Sequence, residues 1–318
     1  MSFPILFRSS SSYALRWKAE LERHLGDLDF RIYPEIGDPA EIAMAIVWKP
    51  PHGVLATLPN LRLIASLGAG VDHILEDPAL PPHVPIMRLV DPHMVVAMSE
   101  YVLAQVLRLH RQDLVYLGQQ RAAVWEEQRQ PNAGERRVGV LGLGQFGADA
   151  ALKLRALGFD VAGWSRRPKA TDGIATFHGE AGFAPFLARS EILICLLPLT
   201  PATENILNAA TFALMPRGAM IVNVGRGGHL TEDDLIPALD SGQLGGAVLD
   251  VFRTEPLPAE HPFWRHPRII MTPHVAAATT RRPPPPSSPT TSSGCARGGP
   301  CCTSSTRRCS IEQEEPQQ

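Results

Sequence analysis

The segment Val138-Gly139-Val140-Leu141-Gly142-Leu143-Gly144-Gln145-Phe146-Gly147 constrains this chain more than any other. A compact apolar run leads at once into Gly-x-Gly-x-x-Gly. A helical stretch, Ala148 to Leu157, follows. In that strand–turn–helix context the pattern is a dinucleotide-binding fingerprint. Gly142 permits the tight turn, Gly144 lets backbone approach a pyrophosphate, and Gly147 lets helix and strand pack closely. The helix start then presents free N–H groups and a partial positive charge to the phosphates. A glycine-rich turn without a ligand is the competing reading, and the flanking strand and helix weigh against it.

The rest of the chain agrees with an α/β fold. Ile5-Leu6-Phe7, Ala43 to Trp48 and Leu63 to Leu67 read as strands, and Tyr13 to Leu25 reads as an amphipathic helix. Such alternation predicts a parallel sheet. Ser99 to Val124 is helical in period, with Tyr101, Val102, Ala104, Gln105 and Leu109 near one stripe. A second βα series runs from Arg137 to about Pro273. With 318 residues the chain has length for two cores.

A net charge of -2 with no basic stripe points away from nucleic acid and membrane surfaces as partners. No run approaches a membrane span or a signal-peptide apolar region, so the expected location is cytoplasmic. Cys195 is the only cysteine in the body of the chain; Cys295, Cys301, Cys302 and Cys309 crowd its end. That distribution argues against a disulfide framework, and the spacing has no Cys-x-x-Cys pair or nearby His, so no metal site is expected.

The strand Asp160 to Trp164 ends at Ser165-Arg166-Arg167. An NAD site usually has an acidic residue there for the ribose 2′-OH. Two guanidinium groups instead suit a 2′-phosphate, predicting NADPH with NADH weaker. A solvated basic turn is the alternative. Asp160 also competes for the ribose, although it stands at the other end of the strand.

Three further strands in this half lead into Arg226, Glu255 and His274, and ligands of an open parallel sheet lie beyond its carboxyl ends. Reduction of a 2-oxo acid needs a fixed cation for the carboxylate and ketone, a proton donor for the developing alkoxide, and a carboxylate favouring imidazolium. Arg226, His274 and Glu255 fit these roles. Singly, each reads better as a surface or capping residue; together, at successive strand ends after a dinucleotide fingerprint, they favour chemistry.

The motifs together resemble the D-isomer-specific 2-hydroxyacid dehydrogenase family, most closely its glyoxylate/hydroxypyruvate reductase A branch. They are Ser66-Leu67-Gly68-Ala69-Gly70-Val71-Asp72, the fingerprint, Asn223-Val224-Gly225-Arg226-Gly227, Asp250-Val251-Phe252-Arg253-Thr254-Glu255-Pro256 and Thr272-Pro273-His274-Val275-Ala276-Ala277. The resemblance implies Arg226 as substrate-binding and catalytic, His274 as acid/base and Glu255 as its partner. It implies backbone N–H groups of Ala69 and Gly70 on the substrate carboxylate, and Trp48 lining the substrate pocket. Asp250 is expected at the nicotinamide end, and Gln145, Phe146 and Pro198 are further cofactor-binding candidates.

The implied architecture is two Rossmann-like domains with parallel sheets: a flavodoxin-like split substrate domain over 1–98, returning at 274–279, and an inserted dinucleotide-binding domain over 99–273. The family is usually dimeric through its nucleotide domains, with the helix after Ser99 near the interface.

The chain departs from the family at Thr280, where a four-proline run and Ser, Thr, Arg, Gly and Cys replace apolar periodicity. That composition predicts disorder over 280–318, and the abruptness suggests a shifted reading frame. Two other functions remain: a cofactor-sensing corepressor-like binding protein on the same fold, or a related dehydrogenase of phosphoglycerate, formate or phosphite.

Overall fold

The computed structural model describes residues 4–9, 11–89, 91–277 and 304–305. By internal contact the chain divides into Met1–Asp91 with Thr279–Gln318, and Pro92–Ala278. Both units are α/β.

The first unit carries β1 (Ile5–Arg8), α1 (Ser11–Leu25), β2 (Phe30–Ile32), β3 (Met44–Val47), β4 (Leu63–Ser66), α2 (Asp72–Leu75) and β5 (Ile86–Arg88). These strands pair in parallel in the order β2-β1-β3-β4-β5, the flavodoxin-like arrangement. A strand covered on both faces must be apolar at successive positions, which is why Ile5, Leu6 and Phe7 run unbroken. Leu6, Ala45 and Ile64 pack on one face with Leu55 and Ile74. Ile5, Phe7 and Ile46 pack on the other with Ala14 and Phe30.

The second unit begins with α3 (Pro92–His110) and α4 (Asp113–Ala122). It continues with β6 (Arg137–Leu141), α5 (Gln145–Ala156), β7 (Asp160–Ser165), β8 (Ala175–His178), α6 (Phe183–Arg189) and β9 (Ile192–Cys195). Then come α7 (Ala209–Leu214), β10 (Ala219–Asn223), α8 (Glu232–Asp240), β11 (Leu244–Leu249) and β12 (Ile269–Met271). The all-parallel order β12-β11-β10-β9-β6-β7-β8 is the Rossmann order with a seventh strand.

Period-two alternation divides its two cores. Val138, Val140, Ile192, Ile194 and Val222 face α3 and α5 residues such as Val102, Val106 and Leu154. Leu141, Leu193, Cys195, Ile221 and Leu249 face Phe186, Phe212 and Leu235. Order reverses between β6 and β9, and the glycine turn follows β6 at that switch point.

Two expectations need correction. The helical stretch expected from Ser99 to Val124 is two helices, the first starting at Pro92, whose fixed φ suits a helix start. Gln112, at φ 65, breaks it in the left-handed region before α4 begins. The buried stripe of α3 is Val102, Gln105, Val106 and Leu109, whereas Ala104 is exposed.

Of the segment expected to be disordered, Ser304–Ser305 falls among the described residues. It forms β13, antiparallel to β5, with Ser304 opposite Met87 and Ser305 opposite Ile86. An edge strand offers unpaired N–H and C=O groups to any extended segment, whatever its side chains. The rest of 280–318, with its cysteines and the suggested frame change, lies outside the described residues.

Candidate active site

β6 ends at Leu141, and Gly142 turns the chain at φ +98, a conformation open mainly to glycine. A Cβ on Gly147 would stand 1.8 Å from the carbonyl oxygen of Gly142, so only glycine lets α5 lie this close to the turn. Gly144 is exposed, and a Cβ there would meet nothing within 4 Å. The backbone of Gly144 thus presents an uncovered surface next to the N-terminus of α5, whose first amides have no partner within the helix. Gln145 is exposed and Phe146 half-buried in that first turn, and Pro198 is exposed just beyond β9. This cradle fits the pyrophosphate of a dinucleotide.

At the end of β7 the Ser165 hydroxyl donates to the carbonyl of Arg167 at 2.8 Å, closing a small turn that leaves Arg166 and Arg167 exposed. Asp160, the competing ribose partner, lies at the far end of β7 and pairs with Arg189 at 2.6 Å. Sequence reasoning missed Lys169. Its ammonium donates to the carbonyl of Leu143, which places a cation at the glycine fingerprint. A basic residue four positions past the strand end was the available signal.

β10, β11 and β12 are adjacent and parallel, so the segments after them emerge at one end of the sheet. Those segments carry Arg226, Glu255 and His274. Nδ1 of His274 lies 2.8 Å from Oε2 of Glu255, while Oε1 of Glu255 accepts from the Phe252 N–H at 3.1 Å. The carboxylate is thereby fixed from behind, and the imidazole is oriented with Nε2 outward. His274 sits at φ 55, and its N–H donates to the carbonyl of Asp250 at 2.8 Å. Arg226 is half-buried, with Nη1 donating to the carbonyl of Gly225 at 2.8 Å.

Asp250, expected at the nicotinamide end, follows β11 directly. It is buried, and Oδ1 accepts from Thr272 Oγ1 at 2.5 Å and from the Val275 N–H at 2.9 Å. Oδ2 accepts from the Ala276 N–H at 2.9 Å. This carboxylate braces the turn that carries His274. Thr272 is held in turn by the Tyr101 hydroxyl on α3 at 2.6 Å. Thr272 gives its one hydroxyl proton to Asp250, so the Tyr101 phenol is the donor in that bond; burial pushes the phenol up to about 12.

In the first unit, Trp48 follows β3 and its ring packs closely on the turn after β4. A Cβ on Gly68 would stand 2.4 Å from that ring, and so the loop needs glycine there. Trp48 is half-buried, and its ring centroid is 4.4 Å from that of His73. Ala69 and Gly70 are partly exposed in the same turn, which Ser66 Oγ ties by donating to the Gly70 carbonyl at 3.0 Å. Trp48 packs on the turn that carries Ala69 and Gly70, while in the second unit Glu255 and His274 form a pair and Arg226 follows a strand at the same end of the sheet. Among the described residues no group of three His, Cys, Asp or Glu side chains is placed to hold a metal, and no helix is long and apolar enough to cross a membrane.

Residues 103–276 match the family model for the NAD-binding domain of D-isomer-specific 2-hydroxyacid dehydrogenases. The chain belongs to that family of NAD(P)-dependent oxidoreductases. Within it, the chain is 44% identical over 278 residues to the glyoxylate/hydroxypyruvate reductase A of Serratia proteamaculans, covering 86% of this chain and 88% of that one. Among solved structures it is similar to a D-isomer-specific 2-hydroxyacid dehydrogenase from Xanthobacter autotrophicus Py2 in complex with NADPH and MES. The TM-score is 0.89 and the identity 43%, over 97% of this chain and 99% of that one. It is also similar to the NADPH-dependent glyoxylate/hydroxypyruvate reductase of Sinorhizobium meliloti in complex with NADP and sulfate. There the TM-score is 0.85 and the identity 36%, over 96% and 99% of the two chains.

Proposed function

We propose that this protein reduces small 2-oxo acids, glyoxylate to glycolate and hydroxypyruvate to glycerate, with NADPH. The observation that carries this reading is the His274–Glu255 pair at 2.8 Å, at the same end of the sheet as Arg226. The names of the relatives from Serratia and Sinorhizobium support the substrate class.

Each residue has a part. Arg226 binds the substrate carboxylate and polarises the ketone, since a guanidinium holds both better than a point charge does. His274 gives the proton from Nε2 to the developing alkoxide, and Glu255 orients the ring and balances its charge. Ala69 and Gly70 offer N–H groups to the substrate carboxylate, and Trp48 limits the size of the group beside the ketone. Gly142, Gly144, Gln145, Phe146, Gly147 and Pro198 hold the dinucleotide, and bound NADPH supplies the hydride. Asp250 acts through the His274 turn. The substrate unit is the one that ends at Asp91, and the nucleotide unit is Pro92–Ala278, which begins with α3 and includes His274.

Ser165, Arg166, Arg167 and Lys169 bind the 2′-phosphate. Arg166→Ala is expected to raise KM for NADPH by about tenfold, the loss of one charge-assisted contact, and to leave NADH nearly unchanged. Steady-state kinetics with both cofactors checks this; an equal effect on the two would remove Arg166 from cofactor selection.

The protein works as a cytoplasmic homodimer in this reading. α4 buries none of its residues: Val115 and Leu117 on it and Val124 beyond its end are exposed, with Trp125 99% exposed. A patch of this kind favours covering by a second copy. Sedimentation equilibrium is expected to give a dimer, and a monomer at all concentrations would contradict it.

The function itself is tested by a panel of 2-oxo acids with NADPH and NADH. Glyoxylate and hydroxypyruvate are expected to give the highest kcat/KM. A higher value for phenylpyruvate, which is too bulky for a pocket closed by Trp48, would overturn the substrate assignment.

A further inference from the structure

Arg226 is gripped by its backbone as well as by its side chain. Its N–H donates to Nδ1 of His229 at 3.0 Å. Its carbonyl accepts from Asn223 Nδ2 at 3.0 Å and from the His229 N–H at 3.2 Å. Asn223 and His229 are both fully buried. Asn223 Oδ1 also accepts from the Gly225 N–H at 3.2 Å. The His229 ring presses on the same loop, since a Cβ on Gly225 would stand 2.8 Å from Nδ1. Gly227 has no more room: a Cβ there would be 1.9 Å from the carbonyl carbon of Phe252.

The bond fixes the state of the histidine. A ring nitrogen that accepts carries no proton, so His229 is neutral with its proton on Nε2. Its role is the one that Glu or Gln plays in a capping box, a side-chain acceptor reaching back three residues to a backbone N–H. Burying an imidazole costs free energy that an apolar side chain of similar size would avoid. What histidine adds at this position is the acceptor.

We propose that His229 is a positioning residue for Arg226: its Nδ1, with Asn223 on the other side, fixes the backbone from which the guanidinium reaches the substrate carboxylate. This inference rests on the role of Arg226 in the proposed function. A cation held only by its flexible side chain would spread over many rotamers. Misplacement on the ångström scale is costly at a reacting centre.

Three substitutions test it. His229→Asn keeps an acceptor at the δ position. His229→Leu removes the acceptor, and His229→Gln moves it one bond further out. His229→Leu is expected to lower kcat/KM for glyoxylate by about 10- to 100-fold, while the Kd for NADPH, read by fluorescence, stays at the value of the unmodified protein. His229→Asn is expected to recover most of the loss, and His229→Gln to behave like His229→Leu. If His229→Leu does not fold, the comparison of Asn with Gln carries the test.

Equal kcat/KM in His229→Asn and His229→Gln, with NADPH binding intact in both, would overturn the proposal. A substrate-independent reading separates this from the function. The Arg226 amide proton resonance is expected to move upfield in His229→Leu and His229→Gln and to hold its place in His229→Asn. That pattern in a protein that turns over no 2-oxo acid would refute the proposed function and leave the brace standing. An amide resonance unmoved in all three would refute the brace.

Discussion

Replacing His274 lowers kcat by on the order of 10²-fold or more, the usual loss when a general acid is removed. The structure makes this a chemical effect. Nδ1 is committed to Glu255 at 2.8 Å, so Nε2 is the atom that delivers the proton. The turn itself depends on backbone groups: the N–H groups of Val275 and Ala276 on Asp250, and the His274 N–H on the Asp250 carbonyl. Those bonds survive loss of the ring. The position is at φ 55, where alanine is strained and asparagine is tolerated. His274→Asn is therefore the cleaner variant and His274→Ala its companion. Both are expected to bind NADPH normally, to change KM for glyoxylate little, and to lose turnover together. Unchanged kcat in folded His274→Asn would remove His274 from the mechanism.

Arg226→Ala is expected to damage KM and kcat together, because one guanidinium binds the ground-state carboxylate and stabilises the charge developing on the ketone oxygen. Removing one partner of a close charge pair typically costs about 2–5 kcal/mol, so kcat/KM should fall by at least about 30-fold. Arg226→Lys is expected to recover little, since an ammonium lacks the planar fork. The brace from Asn223 and His229 acts on the backbone, so it persists in both variants and NADPH binding is retained. An unchanged KM for glyoxylate with a reduced kcat would show that Arg226 does not hold the substrate carboxylate.

The parts of this site legible in the sequence were those governed by local chemistry. Continuous apolar runs marked β6, β10 and β11, because strands covered on both faces have no polar side. The fingerprint glycines were legible because each meets a steric limit that its spacing encodes, as the 1.8 Å approach at Gly147 shows. The family motifs placed Arg226, Glu255 and His274 at successive strand ends. What the sequence hid depends on contacts between distant segments. Tyr101 reads as one more residue on a helical stripe, and only the fold brings it to Thr272, 171 positions away. Asp250 sits at a strand end, as a nicotinamide contact would, and its carboxylate turns out to hold the His274 turn. The break at Gln112 carries no glycine or proline to announce it. Lys169 became visible only when its long side chain was seen to reach back to Leu143.

Reduction of small 2-oxo acids by NADPH is followed in NADPH absorbance with glyoxylate and the full chain. Glyoxylate-dependent oxidation of NADPH is expected, slower with NADH at equal concentration and abolished in His274→Asn. Folded protein that binds NADPH yet oxidises none with glyoxylate or hydroxypyruvate would contradict it.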